Sequence, residues 1–229
     1  IEITVTSCWC TSYFSNYFDN LTIEGVEIDQ DITDLSVDYF YLSEDIPVFT
    51  YDGRAYLNAV EKKYDVILVD AYQDITIPFQ MSSVEFFALV REHLTGNGIM
   101  VVNMNMRGQK EGNITEYLSD TIANVFDEVY TVNVAGNTNR ELFATNNQDV
   151  FDVMEDNMAK EDNEKLASMM GIVSAHLEQY EKGDYLMTDD QAPVELLGMK
   201  VIDEIIKNEV EYYKDIYEEE GLSGLLERI

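Results

Sequence analysis

The chain has 229 residues, of which 46% are hydrophobic and 26% are charged. This length is enough for one sizeable hydrophobic core. Basic residues number 14 and acidic residues 45, for a formal net charge of −31, which excludes the basic surface that nucleic-acid binding requires. No apolar run approaches the roughly 20 residues of a membrane-spanning helix, so we expect no membrane segment in this chain.

Strand and helix patterns alternate through the first two thirds of the chain. Apolar and β-branched runs predict strands at residues 21–28, 47–51, 65–70 and 99–103. Amphipathic spacing predicts helices at residues 31–40, 53–62, 84–94 and 114–126, with residues 95–98 ending the third. Two further strands, at residues 128–134 and 141–145, follow each other across a turn-rich loop, which predicts an antiparallel hairpin.

The last third of the chain has little strand signal. Polar amphipathic patterns predict helices at residues 149–179, 190–206 and 208–228. We therefore predict a core at residues 1–147 and a helical C-terminal extension at residues 148–229 that packs on it, together forming one domain. Repeated β-α units place the core in the α/β class, with a mostly parallel sheet and helices on both faces.

Acidic side chains stand at the carboxyl ends of the predicted strands, where such sheets bind their ligands. They are Glu27, Asp29, Asp52 and Asp70. An acid at the end of the strand at 21–28 can accept two hydrogen bonds from a ribose diol, and one after 47–51 can accept one from the adenine amine. An acid after 65–70 can hold a cationic amine or take its proton. Capping of the next helix is the alternative role for Asp29 and Asp52.

Composition gives two weaker indications. Acidic clefts concentrate cations, so the charge is compatible with a cationic ligand, although a solubilising acidic surface is the simpler interpretation. Cys8 and Cys10 have no further Cys or His nearby in the sequence. We interpret them as reduced thiols of a cytoplasmic protein, because disulfides are rare in that compartment.

Five segments, in this order, resemble spermidine synthases and their relatives over roughly residues 15–200. The segments are Gly-Val-Glu-Ile-Asp at 25–29, Asp-Gly-Arg-Ala-Tyr-Leu at 52–57, Tyr-Asp-Val-Ile-Leu-Val-Asp-Ala-Tyr at 64–72, Ile-Pro at 77–78 with Ser-Val-Glu-Phe-Phe at 83–87, and Thr-Asp-Asp-Gln-Ala-Pro-Val-Glu at 188–195. The resemblance implies the Rossmann-like fold of class I S-adenosylmethionine-dependent methyltransferases, with a seven-stranded sheet that ends in the hairpin. The core would then bind a nucleoside.

The resemblance also implies an activity and its residues. The donor is S-adenosylmethionine or its decarboxylated form, the acceptor is a small putrescine-like amine, no metal is needed, and a homodimer is compatible with the family. The residues implied to bind the donor are Glu27, Asp29, Asp52 and Gly53. The residues implied to be catalytic are Asp70 and Asp74, and those implied to bind the amine are Tyr72, Gln73, Asp189 and Asp190.

The chain departs from this family at two places. Residues 4–8 contain no glycine, where the family has a glycine-rich turn beside the nucleoside. The second acid of the family's Asp-x-x-Asp pattern comes one position late, so that Gln73 stands in its place and Asp74 follows. Aminopropyl and methyl transfer therefore stay open. A catalytically degenerate relative that serves as a binding or assembly module, or an N-terminally truncated piece of a larger transferase, is the alternative hypothesis.

Overall fold

The computed structural model describes residues 2–5, 14, 18, 21–40, 42–43, 45–72, 76–105, 110–134 and 139–226. Within these ranges the strands form a single sheet in the order β3-β2-β1-β4-β5-β7-β6-β8. The strands are β1 (Glu2–Val5), β2 (Thr22–Glu27), β3 (Val48–Thr50), β4 (Tyr64–Val69), β5 (Leu94–Met104), β6 (Glu128–Asn133), β7 (Arg140–Thr145) and β8 (Glu178–Gln179). Strands β1 to β5 pair in parallel, whereas β7 runs antiparallel to both β5 and β6. The predicted α/β class and the final hairpin are confirmed.

Helices connect the strands and cover the sheet. They are α1 (Gln30–Phe40), α2 (Gly53–Ala59), α3 (Val84–Glu92), α4 (Ile114–Ala123), α5 (Val150–Lys160), α6 (Glu164–His176) and α7 (Val194–Leu226), with a 3₁₀ turn at Phe79–Met81. Among the described residues, no helix is both long enough and apolar enough to cross a bilayer.

Side-chain caps mark where four of these helices begin, and Asn163 provides the one at α6. Asp52 Oδ1 accepts a hydrogen bond from the Ala55 amide at 2.8 Å, and Ser83 Oγ accepts one from the Phe86 amide at 3.2 Å. Asn113 does the same for the first turn of α4. An N-cap contributes about 1 kcal/mol by satisfying amides that have no partner within the helix. The start of α2 is therefore placed directly after β3, at the carboxyl edge of the sheet.

The expectation of seven strands is wrong, because the described chain has eight. Residues 178–179 were predicted to end a helix, but they pair with Tyr130 and Thr131 of β6 as an antiparallel edge strand. The Tyr180 amide continues this pairing with the Val129 carbonyl oxygen at 2.8 Å. The addition covers backbone groups that β6 would otherwise present as an open edge.

Two other boundaries also differ from the sequence-based expectation. Residues 95–98 belong to β5, where the register with β4 shifts at a bulge, and a Cβ at Gly98 would lie 2.9 Å from the Tyr64 carbonyl oxygen. The two predicted C-terminal helices are one element, α7, interrupted at Gly221 with φ of 69°. The positive φ explains why glycine stands at that break.

The main hydrophobic core lies between the sheet and helices α3, α4 and the start of α7. Phe86 and Phe87 of α3 and Ile122 of α4 are 1% exposed or less, and they belong to one cluster with Met100 of β5. Three residues near the start of α7 complete this cluster, and they are Val194, Leu197 and Val201. The C-terminal segment is thus built into the same core that supports β4 and β5.

Candidate active site

A cleft of about 340 Å³ opens at the carboxyl ends of β2, β3 and β4. Parallel strands bring their ends to one edge, so residues far apart in sequence meet there. The residues that line it are Val26, Glu27, Ile28, Tyr51, Asp52, Gly53, Asp70, Ala71, Tyr72, Pro78, Gln80 and Met81. Five of the residues named from the sequence are among them: Glu27, Asp52, Gly53, Asp70 and Tyr72. Among these lining residues there is no Lys, Arg or His.

Glu27, the last residue of β2, lies half-buried at one end of the cleft. The Asp29 amide donates to its Oε1 at 3.1 Å. Burial raises the pKa of Glu27 above its ordinary value, and the backbone hydrogen bonds from Asp29 and Ile28 offset only part of that rise. The Tyr51 amide donates to the Glu27 carbonyl oxygen at 3.0 Å, which ties the end of β2 to the residues after β3.

Asp29 and Asp52 separate into different roles. Asp29 Oδ1 accepts from the Asp31 amide at 2.9 Å, a local turn at the start of α1, and Asp29 does not appear among the lining residues. Asp52 caps α2 through Oδ1 and also lines the cleft. Capping and ligand contact are thus compatible for Asp52, because one carboxylate carries acceptor sites on two oxygens.

At the other end of the cleft, a polar network surrounds Asp70. Asn103 Nδ2 donates to Asp70 Oδ1 at 2.9 Å, and Asn139 Nδ2 donates to Asn103 Oδ1 at 2.8 Å. The Tyr72 hydroxyl donates to the Asn103 carbonyl oxygen and accepts from the Asn105 amide at 2.9 Å. Burial is the largest cause that raises the pKa of Tyr72, which keeps its hydroxyl neutral as a donor.

Sequence reasoning missed Glu141 of β7, a carboxyl close enough to respond to the charge of Asp70, although it is not among the lining residues of the cleft. Glu141 is the antiparallel partner of Asn103, the residue that hydrogen-bonds to Asp70. Burial and the nearby charge of Asp70 raise the pKa of Glu141 to about 7. Because β7 is antiparallel, its first residues and not its last lie at the carboxyl edge of β4 and β5, so the rule that ligand-binding residues follow strand ends does not indicate Glu141.

The remaining sequence-predicted residues lie elsewhere. Asp189 forms an ion pair with Arg54 at 2.7 Å, beside the cleft, and Asp190 is exposed in the same turn. Neither appears among the lining residues, and a direct contact of either with a ligand stays a prediction. Gln73, Asp74 and residues 6–8 of the glycine-free turn lie outside the described residues. Within the described ranges, no three His, Cys, Asp or Glu side chains converge as metal ligands.

Comparisons with known proteins find a family match. The sequence model of the spermine/spermidine synthase domain family matches residues 17–136, about half of the chain. A protein of Bifidobacterium longum named a probable polyamine aminopropyl transferase is 48% identical over 93% of this chain. The match covers 52% of that relative, so the chain spans about half the relative's length.

Solved structures share the fold at low sequence identity. Human methyltransferase-like protein 13, in complex with SAH, superimposes with a TM-score of 0.60 at 20% identity, over 80% of this chain and 85% of that one. A probable spermidine synthase from Corynebacterium glutamicum gives a TM-score of 0.57 at 21% identity, over 64% of this chain and 56% of that one. The fold is therefore the Rossmann-like fold of these methyltransferases and synthases, as the sequence resemblance implied.

Proposed function

Because the chain belongs to the spermine/spermidine synthase domain family, we propose that it transfers an aminopropyl group from decarboxylated S-adenosylmethionine to a small cationic amine. The observation that carries the proposal is the meeting of Glu27, Asp52 and Asp70 in one cleft at the strand ends. The relative from Bifidobacterium longum, whose name states a polyamine aminopropyl transferase, supports the same activity.

The cleft residues divide into a donor end and an acceptor end. At the donor end, Glu27 accepts hydrogen bonds from the ribose diol, while Asp52 and the Gly53 backbone contact the adenine edge. At the acceptor end, Asp70 holds the amine, and Asn103 fixes the carboxylate through its hydrogen bond of 2.9 Å. Glu141 adds a second carboxyl near that position. Asp74 is the further catalytic candidate that the family resemblance implies.

The reaction is a displacement at the aminopropyl carbon that is bonded to the sulfonium sulfur. The lone pair of the amine nitrogen forms the new C–N bond while the C–S bond breaks and its electrons return to sulfur, which leaves as neutral methylthioadenosine. The nitrogen then loses a proton to a carboxylate, for which Asp70 is the described candidate. The enzyme has to align donor and acceptor and keep the amine deprotonated, and such positioning and proton transfer are the main sources of rate.

Charge favours the aminopropyl donor over S-adenosylmethionine itself. Decarboxylated S-adenosylmethionine carries a sulfonium and an ammonium and no carboxylate. The described lining of the cleft is acidic and has no basic side chain, so it offers no counter-ion for the carboxylate of S-adenosylmethionine. An acidic cleft attracts the more cationic donor and repels a carboxylate.

The test is product formation by the purified chain with decarboxylated S-adenosylmethionine and putrescine. Release of methylthioadenosine, followed by mass spectrometry, is the expected result, and S-adenosylmethionine should give no methylated amine. We expect Asp70→Asn to lower kcat at least about a hundredfold, because it removes the proton acceptor but keeps the hydrogen-bonding shape. Asp38→Asn, an exposed site on α1, is the matched control.

Three results would contradict the proposal. The first is a wild-type chain that forms neither product and binds no methylthioadenosine in calorimetry. This result would support the alternative hypothesis of a catalytically degenerate relative. The second is methyl transfer from S-adenosylmethionine without aminopropyl transfer. The third is an Asp70→Asn variant as fast as Asp38→Asn, which would remove Asp70 from the reacting centre.

A further inference from the structure

Arg54 and Asp189 form a two-pronged ion pair between residues far apart in the chain. Arg54 Nη1 donates to Asp189 Oδ1, and Nη2 donates to Oδ2, both at 2.7 Å. Such parallel hydrogen bonds fix the relative orientation of both groups, unlike a simple contact of surface charges. The hydrogen bonds with Arg54 hold the pKa of Asp189 below its ordinary value, so the pair is charged on both sides near neutral pH.

This ion pair is also hydrogen-bonded to a residue that lines the cleft. Arg54 Nη1 donates to the Gln80 carbonyl oxygen at 2.9 Å, and Ser83 Oγ donates to Asp189 Oδ1 at 2.5 Å. Gln80 lines the cleft, as does Gly53, the residue before Arg54. Arg54, Ser83 and Asp189, here called the clamp, therefore connect the 3₁₀ turn at Phe79–Met81 to the start of α2.

The C-terminal segment is built to present Asp189 to this side of the cleft. The Asp189 amide donates to Glu85 Oε2 at 3.0 Å, and the Val84 amide donates to the Met187 carbonyl oxygen at 2.9 Å.

The residues before this part of the segment are anchored on α4. Asp120 of α4 is only 2% exposed and accepts hydrogen bonds from the Tyr180 hydroxyl and from the Gly183 and Tyr185 amides. The segment before Asp189 is thus anchored on the core at several points.

We propose that Asp189 is a positioning residue, which acts through Arg54 to hold the turn at Phe79–Met81 against the donor end of the cleft. Donor affinity then depends on a C-terminal segment that lies outside the strands and helices of the nucleoside-binding core. The inference rests on the proposed function in one respect, namely that the cleft binds a sulfonium nucleoside. It differs from the sequence-based expectation, in which Asp189 contacts the amine itself.

The test compares Asp189→Asn with Asp184→Asn, an exposed residue of the same segment. Two quantities are measured on the full chain: the Kd for methylthioadenosine by calorimetry, and hydrogen exchange of the amides of residues 79–83 without ligand. We expect Asp189→Asn to weaken methylthioadenosine binding about tenfold and to speed exchange at residues 79–83, while exchange in β4 stays unchanged. Asp184→Asn should leave both quantities as in the wild type.

Arg54→Lys provides a second, charge-conserving variant. Lysine cannot make the two-pronged contact, so it should change affinity and exchange in the same direction as Asp189→Asn. The double variant should lose little more than either single one, because both remove the same contact.

The outcomes separate this inference from the proposed function. Exchange at residues 79–83 that is unchanged in Asp189→Asn and Arg54→Lys overturns the clamp, even if affinity falls, since that fall would indicate direct ligand contact. Exchange that rises equally in β4 also overturns it, because it shows a general loss of stability. Faster local exchange with unaltered affinity overturns the link to donor binding. A wild-type chain that binds no methylthioadenosine contradicts the proposed function. In that case, hydrogen exchange at residues 79–83 still shows whether the clamp holds the turn at Phe79–Met81.

Discussion

Glu24 and Glu141 are carboxylates on two strands of one sheet, and their surroundings shift their pKa values in opposite directions. Glu24 of β2 accepts hydrogen bonds from the Tyr64 hydroxyl, from Lys62 Nζ at 2.8 Å and from the Tyr56 hydroxyl at 3.0 Å. Burial alone would raise its pKa, but these hydrogen bonds hold the pKa of Glu24 below its ordinary value. For Glu141, burial and the charge of Asp70 act in the same direction and raise its pKa to about 7.

The difference separates a structural carboxylate from one suited to a cationic ligand. Glu24 anchors α2 through Tyr56, and the first residues of α2 belong to the donor end of the cleft. Its charge is satisfied within the fold. The Glu141 carboxyl is held beside another acid, where an incoming ammonium would stabilise its ionised form. Perturbed pKa values of this second kind are typical of functional sites.

The largest effect on stability is expected from Glu24→Gln. The substitution leaves Lys62 next to two tyrosine hydroxyls with no carboxylate among them. Because the Lys62 side chain is 36% exposed and stays in contact with water, the expected loss is about 2 kcal/mol, below that for a fully buried ion pair. The measurement is the free energy of unfolding in urea near neutral pH, with the exposed Glu61→Gln as control. Values for the two variants within about 0.5 kcal/mol of each other would show that Glu24 is not the structural carboxylate described here.

The contributions of Glu24 and Glu141 to the free energy of unfolding should depend on pH in opposite directions. Because the pKa of Glu24 is lowered on folding, its contribution to stability is present above its ordinary pKa of 4.5 and is lost as the pH falls through the folded pKa. Glu141 has the opposite sign. The folded state binds its proton more tightly, so its contribution is full below 4.5 and is lost as the pH rises from 4.5 through about 7.

We therefore expect Glu141 to make the wild type lose stability as the pH rises from 4.5 to about 7. Glu141→Gln should not show this loss. The measurement is the free energy of unfolding of the wild type minus that of the variant, followed across this pH range. Glu178→Gln, an exposed carboxylate on β8 of the same sheet, is the control and should show no such trend. A flat difference for Glu141→Gln, or a rising one, would mean that folding does not raise the pKa of Glu141.

The three carboxylates that line the cleft were predictable from the sequence, whereas the network around Asp70 largely was not. Glu27 ends a parallel strand, and Asp52 and Asp70 each stand just after one, so local pattern and one topological rule place them together. Glu141 enters from an antiparallel strand, and its relation to Asp70 depends on the β5–β7 register, which periodicity does not specify. The eighth strand was missed for a similar reason, since two residues paired at an edge carry no periodic signal.

Asp52 stands between the two kinds of carboxylate, because it caps a helix and is also a lining residue of the cleft. It gives the smallest expected effect on stability. Asn caps helices as well as Asp does, so Asp52→Asn should leave the free energy of unfolding nearly unchanged, whereas Asp52→Ala should lower it by about 1 kcal/mol. Both variants lose the charge and should weaken methylthioadenosine binding in calorimetry. Asn163→Ala removes the cap of α6, far along the chain, and should lower stability by a similar amount without weakening binding. If Asp52→Asn binds methylthioadenosine as tightly as the wild type, the carboxylate of Asp52 serves the helix alone.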